Sequence, residues 1–301
     1  MNDNSKVVLN VRDIQQINLE MLDAFDRFCK EHDLSYSVCG GTLLGAVRHK
    51  GFIPWDDDLD LFMTRPEYDR LTRICASGDI APGMTFACPQ NGLFMRPFAR
   101  VYYNCTSVER RSFNADSGAH VWMDILPVDG LPPQKEKWPR LYLKRKLMDH
   151  FVMETMWNIG TFNRKKDYIK RPLYFLIGCN FRGRKGGRAF WCKKLEDLGK
   201  RYPFDRSEYI ACITAGRYGE GETMRREDYM RPATVEFEGR TLPAMGCWHE
   251  YLTGIYGDYM TPPPEHKRYP HLDLAKMGID DYRALCERHP ELAGHHPEAG
   301  L

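Results

Sequence analysis

The stretch "GGTLLGAVRHKGFIPWDDDLDLF", Gly40 to Phe62, limits what this chain can fold into more than any other. It places four aspartates, Asp56, Asp57, Asp58 and Asp60, within five residues. Like charges that close repel, so the arrangement costs free energy unless the fold separates them or something positive sits there. The end of the stretch, "DLDLFM", alternates charged and apolar residues, the two-residue period of a strand with two different faces. Asp58 and Asp60 then project to one side, and Leu59 and Leu61 to the other. Pro54 forbids a helix through "GFIPW", so a loop delivers the aspartates to that strand. Upstream, "LSYSV" reads as a short strand stopping at Gly40-Gly41, and Thr42 is placed to cap a helix through "LLGAVRH".

Two carboxylates side by side at a strand end suit a hard cation. Mg²⁺ commonly takes one or two carboxylates together with substrate phosphates, and Mn²⁺ is the alternative ion. A glycine pair lets backbone approach a phosphate closely, and the following helix N-terminus favours an anion. A lone D-x-D is usually a solvated acidic turn and a lone Gly-Gly is weaker still. At this spacing, with a strand on each side, they describe a metal–phosphate site. Asp124 in "VWMDILPVD", flanked by Met123 and Ile125, is the candidate third acid. It either joins the metal set or is a buried, hydrogen-bonded carboxylate. Asp129 is assigned to an Asp129-Gly130 turn.

The remaining chain reads as a soluble α+β protein. Apolar residues from Ile14 to Phe28 recur at helical spacing, predicting an amphipathic helix over 12–33. A second helix is expected over about 66–76. "RPFARVYYN" and "TSVERR" read as two strands joined at Asn104-Cys105, with "HVWMDILPVD" as another. "ATVEFEGRTLPA" reads as a hairpin turning at Glu238-Gly239, and "WHEYLTGIYG" as a short helix. "WHEYLT" lacks the second histidine of a zinc-protease helix. The last dozen residues read as a frayed tail. Three parts are expected: a catalytic core over 1–133, a basic and aromatic helical insertion over 134–201 with a glycine joint near 183–187, and a return to the catalytic domain over 202–301. The ten cysteines contain no C-x-x-C pair, which points to reduced thiols rather than a zinc ribbon. The N-terminus lacks a signal-peptide pattern and no apolar run approaches membrane-spanning length, so a cytoplasmic protein is expected. A formal charge of +2 gives no overall field for nucleic acid, and none is expected as a partner.

Two blocks, "GGTLLGAVRHKGFIPWDDDLDLF" and "VEFEGRTLPA" followed by "WHEYLTGIYGDYMTPPPEHKR", resemble the LicD family of phosphocholine transferases, to which the fukutin-type transferases are related. The family belongs to the nucleotidyltransferase-fold superfamily, which implies a mixed β-sheet with flanking helices. Its Gly-Gly and D-x-D pattern falls on Gly40, Gly41, Asp58 and Asp60, and its third carboxylate on Asp124. The insert between the two halves is longer than the superfamily's usual one, though normal for LicD members. The resemblance implies transfer of phosphocholine, or a similar alcohol phosphate, from a CDP-linked donor such as CDP-choline to a glycan hydroxyl, with release of CMP. The glycan acceptor would be a teichoic acid, lipopolysaccharide or capsule, in many members lipid-linked.

Under that reading Arg48, His49 and Lys50 bind phosphate, unless they are ordinary surface residues. Asp56 and Asp57 cap the strand or hold metal-bound water, and Trp55 packs beside the donor or in the core. Tyr256, Asp258, Tyr259 and Arg268 contact substrate, or belong to a packed strap. A choline donor wants aromatic rings around its ammonium, and Trp122, Trp248, Tyr256 and Tyr259 are candidates. The basic middle is a charged helical face, a seat for an anionic glycan, or a peripheral contact with the inner face of the membrane. In the last case Lys144, Arg145, Lys146, Arg164, Lys165 and Lys166 meet lipid, beside Trp138, Tyr142, Tyr168 and Phe175. Two other functions stay open: a nucleotidyltransferase that moves the nucleotide itself, and a metal-free glycan- or nucleotide-binding protein.

Overall fold

The computed structural model describes residues 6–109, 119–154, 186–270, 272 and 274–297. Strand β1 (Lys6–Leu9) leads into helix α1 (Val11–Glu31). Asn10 and Asp13 close a capping box there, each side chain accepting from the other's backbone N–H. The stripe read from the sequence, Ile14, Ile17, Met21, Leu22 and Phe25, is buried in the core. Then come β2 (Ser37–Val38), α2 (Gly40–His49), β3 (Asp60–Thr64), α3 (Arg65–Ile74), β4 (Asp79–Ala81), β5 (Met84–Ala87), β6 (Ala99–Glu109) and β7 (Ala119–Gly130). Helices α4 (Trp138–Glu154) and α5 (Gly186–Gly199) pack together beside the sheet through Trp138, Leu141, Leu195 and Leu198. The chain returns as β8 (Tyr209–Ala211), β9 (Met224–Arg225), α6 (Arg226–Tyr229), β10 (Pro232–Phe237), β11 (Arg240–Met245), α7 (Trp248–Tyr256), β12 (Leu274–Gly278) and α8 (Ile279–Arg288).

The result is the expected α+β fold around one mixed sheet. Its main path runs β1-β12-β6-β7-β3-β2-β11-β10, with β5 and β8 pairing outward from β6 and β7. The β3–β7 and β2–β11 pairs are parallel, so the first and last thirds of the chain interleave in one sheet. The β10–β11 hairpin turns where expected, with Glu238 at φ 48° and Gly239 at φ 73°, the left-handed pair such a tight turn requires.

Four expectations change. The helix after the glycine pair begins at Gly40, so Thr42 lies inside its first turn and does not cap it. The strands expected on either side of Asn104-Cys105 are one strand, β6, with a bulge between Tyr103 and Val108. Thr106 stabilises that bulge, donating to the Tyr103 carbonyl and accepting from Val121 N–H. The tail is docked over its described part. Leu292 is fully buried, and His296 Nε2 lies 2.7 Å from the buried Asp13 carboxylate. Arg164, Lys165, Lys166, Tyr168, Phe175 and most of the 183–187 joint lie outside the described residues.

The fourth change is Asp129. It does not sit in a turn, because β7 continues into pairing with β8, where Asp129 faces Ala211. Its fully buried carboxylate takes two bonds from Arg65, at 2.6 and 3.0 Å. Burial is the largest influence on Arg65 and opposes its charged form, but the charge and hydrogen bonds of Asp129, with Tyr68 and Asp69 beside them, together outweigh it and hold the guanidinium more firmly protonated than usual. The pair anchors α3 to the β7 strand that carries Asp124. Asp129→Ala removes both hydrogen bonds from the buried guanidinium, leaving only the longer contact with Asp69 at 3.6 Å, and is expected to cost about 3–5 kcal/mol, read as a lower urea midpoint with an unchanged denaturant slope.

Candidate active site

The aspartate loop is held from both sides before it reaches the sheet. Lys50 ends α2 at φ 61°, and a Cβ on Gly51 would lie 2.3 Å from Glu238 Oε1, so the hairpin turn seats directly on the loop. Glu238 accepts from Phe52 N–H and pairs with Arg12 of α1. Two buried amides of the same helix bond loop carbonyls: Gln15 donates to Asp56 O and Asn18 to Asp57 O, both at 2.9 Å. These polar residues interrupt an otherwise apolar face, and their partners explain why they are tolerated in the core.

That scaffold parts the four carboxylates. Asp57 is turned into the protein, 1% exposed, where Oδ2 accepts from Leu272 N–H. Asp56 and Asp60 lie against the N-terminus of α2. A Cβ on Gly41 would stand 2.7 Å from Asp56 Oδ2, and one on Gly40 3.0 Å from Asp60 Oδ2. Gly40 also takes φ 52°, which favours glycine. The helix dipole at this end stabilises nearby negative charge and offsets part of the repulsion. Asp58 and Asp60 remain half-buried while Leu59 and Leu61 are fully buried, the alternation expected of them.

In the parallel β3–β7 ladder Asp60 stands opposite Asp124. Asp56, Asp58, Asp60 and Asp124 all line one cavity of about 800 Å³. Gly40, Gly41, Arg48, Trp55, Tyr256, Asp258 and Tyr259 line it too. Thr42, His49, Lys50 and Arg268 do not. The Thr42 hydroxyl accepts from Asp60 N–H at 2.8 Å, supporting the strand rather than a ligand. His49 accepts from Arg48 Nε, and Lys50 O accepts from Glu238 N–H. Arg268 stacks over the Trp55 ring, while its neighbours Lys267 and Tyr269 reach the cavity. Arg48 donates to the Tyr259 carbonyl, and burial lowers its pKa.

Asp124 carries a partner that the sequence did not announce. Arg100, its cross-strand neighbour on β6, donates to both carboxylate oxygens, at 2.5 and 3.3 Å. The guanidinium is packed on aromatic faces, 4.5 Å from the Phe94 ring centre and 4.2 Å from that of Trp122. Burial is the largest influence and opposes its charge, yet Asp124 and Tyr102, through charge and hydrogen bonding, together outweigh it and raise its pKa. The Trp122 ring, a candidate for an ammonium cage, therefore already holds a cation. Trp248 lies outside the cavity lining, whereas Tyr256 and Tyr259 are part of it.

The donors suit a small hard cation held by two carboxylates, Asp58 and Asp60. Among the described residues no cluster of three or more His, Cys, Asp or Glu side chains is placed to hold a metal ion. Arg100 occupies one acceptor position on each Asp124 oxygen, so Asp124 could join such a set only through the remaining lone pairs. Sequence reasoning also missed Arg96, Phe98, Arg217, Tyr218, Glu222 and Tyr251 in the cavity wall. Arg100 lies on a strand recognised as such, but nothing in the sequence set it opposite Asp124. Glu222 had no signal: its carboxyl is buried, and burial pushes its pKa up.

Residues 33–130 match the family described as LicD/FKTN/FKRP, nucleotidyltransferase domain. Over 267 residues the chain is 30% identical to the lipopolysaccharide cholinephosphotransferase LicD of Haemophilus influenzae, spanning 87% of this chain and 96% of that protein. The chain belongs to the LicD family. Shorter stretches are similar to uncharacterized proteins of Rickettsia prowazekii, 46% identical over 44 residues, and Rickettsia typhi, 58% over 31. These cover 15% and 10% of this chain, and 16% and 10% of those proteins.

In this LicD-family site the glycine pair leaves no room for a side chain. Gly41→Ala forces the Asp56 carboxylate aside without straining the backbone. Turnover is expected to fall on the order of a hundredfold, as for a misplacement of about 1 Å, with little change in melting temperature. Parallel activity and melting measurements check both parts.

Proposed function

We propose that this chain is a phosphotransferase that moves phosphocholine, or a similar alcohol phosphate, from a CDP-linked donor to a hydroxyl of a surface glycan, releasing CMP. Lipopolysaccharide is the leading acceptor, with teichoic acid and capsular glycans the other candidates. One observation carries the reading: a chain matching nearly the full length of a lipopolysaccharide cholinephosphotransferase sets paired aspartates and basic side chains around one cavity. Phosphoryl transfer is mostly positioning and charge stabilisation, and this cavity offers both.

In this reading Asp58 and Asp60 hold Mg²⁺, with Mn²⁺ as the alternative. When bound, the ion neutralises pyrophosphate oxygens and the charge left on the departing CMP. Arg48, Arg217 and Lys267 add positive charge along the wall. The acceptor oxygen attacks the phosphorus of phosphocholine, the bond from that phosphorus to the CMP oxygen breaks, and the hydroxyl proton passes to Asp124. Arg100 holds the Asp124 carboxylate in place for this role. In this reading Tyr256 and Tyr259, which line the cavity, contact the donor, as does Trp55, whose ring is backed by Arg268.

Incubation with CDP-choline, CDP-ethanolamine, CDP-glycerol and CDP-ribitol, with CMP and acceptor followed by mass spectrometry, tests the proposal. CMP release with a phosphocholine-bearing glycan is expected. A nucleotidylated product would establish nucleotidyl transfer instead, and binding without turnover would leave a non-catalytic protein. Asp58→Asn and Asp60→Asn are each expected to reduce turnover to background while leaving the fold intact, since removing one of two adjacent charges relieves their repulsion.

We also propose a peripheral membrane contact, narrower than the sequence suggested. No helix among the described residues is long and apolar enough to cross a membrane. On α4, Arg145 turns inward to the Ile213 carbonyl, Trp138 is buried, and Tyr142 bonds Thr223. Facing outward are Leu143, 69% exposed, and Leu147, 54% exposed, beside Arg140, Lys144 and Lys146. Apolar side chains flanked by cations suit anionic headgroups. Pelleting with anionic vesicles at low salt is expected, and Lys144→Glu with Lys146→Glu should weaken it by about 1 kcal/mol or more per residue. Absence of wild-type pelleting overturns this contact and leaves the transferase reading intact.

A further inference from the structure

We infer that Glu222 is a positioning residue that clamps the segment from Cys212 to Glu222 into a wall of the donor site, so that Arg217 and Tyr218 are presented to the ligand. The inference rests on the reading of the cavity as the site of a CDP-linked donor. The segment lies beyond residues 33–130, so the matched domain ends before it.

Three separate contacts build the clamp. Glu222 is 4% exposed, and its Oε1 accepts from Arg217 N–H at 2.6 Å and Tyr218 N–H at 2.8 Å. A buried carboxylate is costly unless such donors meet it, so these two bonds set the path of the loop. Gly216 completes the fit. A Cβ there would stand 2.1 Å from Glu222 Oε2 and 2.2 Å from the Cys212 carbonyl.

The segment is also seated on α7. Gly221 and Gly254 meet backbone to backbone, since a Cβ on Gly221 would lie 2.3 Å from Gly254 O and one on Gly254 2.2 Å from Gly221 O. This close approach lets Tyr218 meet Tyr256 edge to face, with ring centres 5.4 Å apart. From the other side Thr223 shares a hydrogen bond with Tyr142 of α4. The backbone is thus fixed at three points while the Arg217 and Tyr218 side chains stay exposed on the cavity wall. An exposed arginine and tyrosine on a rigid backbone suit the phosphates and the base or ammonium group of such a donor.

The test has a ligand-free arm and a kinetic arm, both on the full chain. Hydrogen exchange is measured for wild type, Glu222→Ala and Glu222→Gln. In E222A the Arg217 and Tyr218 amides are expected to exchange at least about tenfold faster, while amides of β3 and β7 keep their rates. E222Q retains an oxygen that accepts both bonds and should restore slow exchange. With CDP-choline, E222A is expected to raise the donor KM about tenfold with kcat nearly unchanged, and E222Q to recover most of that loss. Arg217→Ala raises KM alone, and adding it to E222A adds little, because both remove one presented group.

Unchanged exchange in E222A overturns the clamp. Faster exchange with an unchanged donor KM, or full additivity with R217A, overturns its role in donor binding. If E222A does not fold, Glu222→Asp withdraws the same carboxylate by one methylene and is read the same way. If wild type turns over no CDP-linked donor, the donor reading falls, and the exchange arm still decides whether Glu222 holds the segment.

Discussion

The fold is organised around the repulsion among four aspartates within five residues. Two carboxylates 4 Å apart repel by about 1 kcal/mol in water and by about 4 kcal/mol near a protein surface, so an unstructured cluster would push its own loop apart. The structure gives each carboxylate a different surrounding. Asp57 is turned into the protein onto a backbone N–H, and Asp56 and Asp60 rest against a helix N-terminus. Asp58 stays half-buried at the cavity. The glycine pair and the buried amides of α1 serve that separation, while the β3–β7 ladder sets Asp60 opposite Asp124, whose charge Arg100 balances.

The site is therefore assembled from segments far apart in sequence. Gln15 and Asn18 hold the loop's carbonyls, Glu238 seats the hairpin turn on Gly51, and Leu272 supplies the donor for Asp57. Residues beyond the matched domain close the opposite end of the chain onto the same cavity. Arg100 and Asp124 form its internal ion pair, with aromatic rings covering the guanidinium. Such a partly buried pair holds orientation more than it adds stability.

Much of this was legible locally. The stripe of α1, the alternation of β3, the hairpin at Glu238-Gly239 and the α7 helix follow from periodicity and turn chemistry, which act over a few residues. The misreadings have a common cause. Asn104-Cys105 looks like a turn, but Thr106 satisfies the bulge and β12 pairs with the far half of β6. Asp129-Gly130 looks like a strand end, but β8 and Arg65 arrive from elsewhere to extend it. In each case a distant partner supplied hydrogen bonds that the local segment could not reveal.

By itself the sequence determined the D-x-D strand, the glycine approach and the acid on the neighbouring strand, because spacing along a strand or at a helix start dictates which way side chains face. It also determined family membership, carried by the glycine and aspartate block. Only the tertiary structure decided that Asp57 supports the loop rather than facing a ligand, that Arg100 holds Asp124, that Lys267 rather than Arg268 reaches the cavity, and that Glu222 orders the wall bearing Arg217 and Tyr218. Those outcomes depend on which desolvated polar groups meet across long chain separations. No local pattern encodes that pairing, because its energy exists only once the sheet has closed.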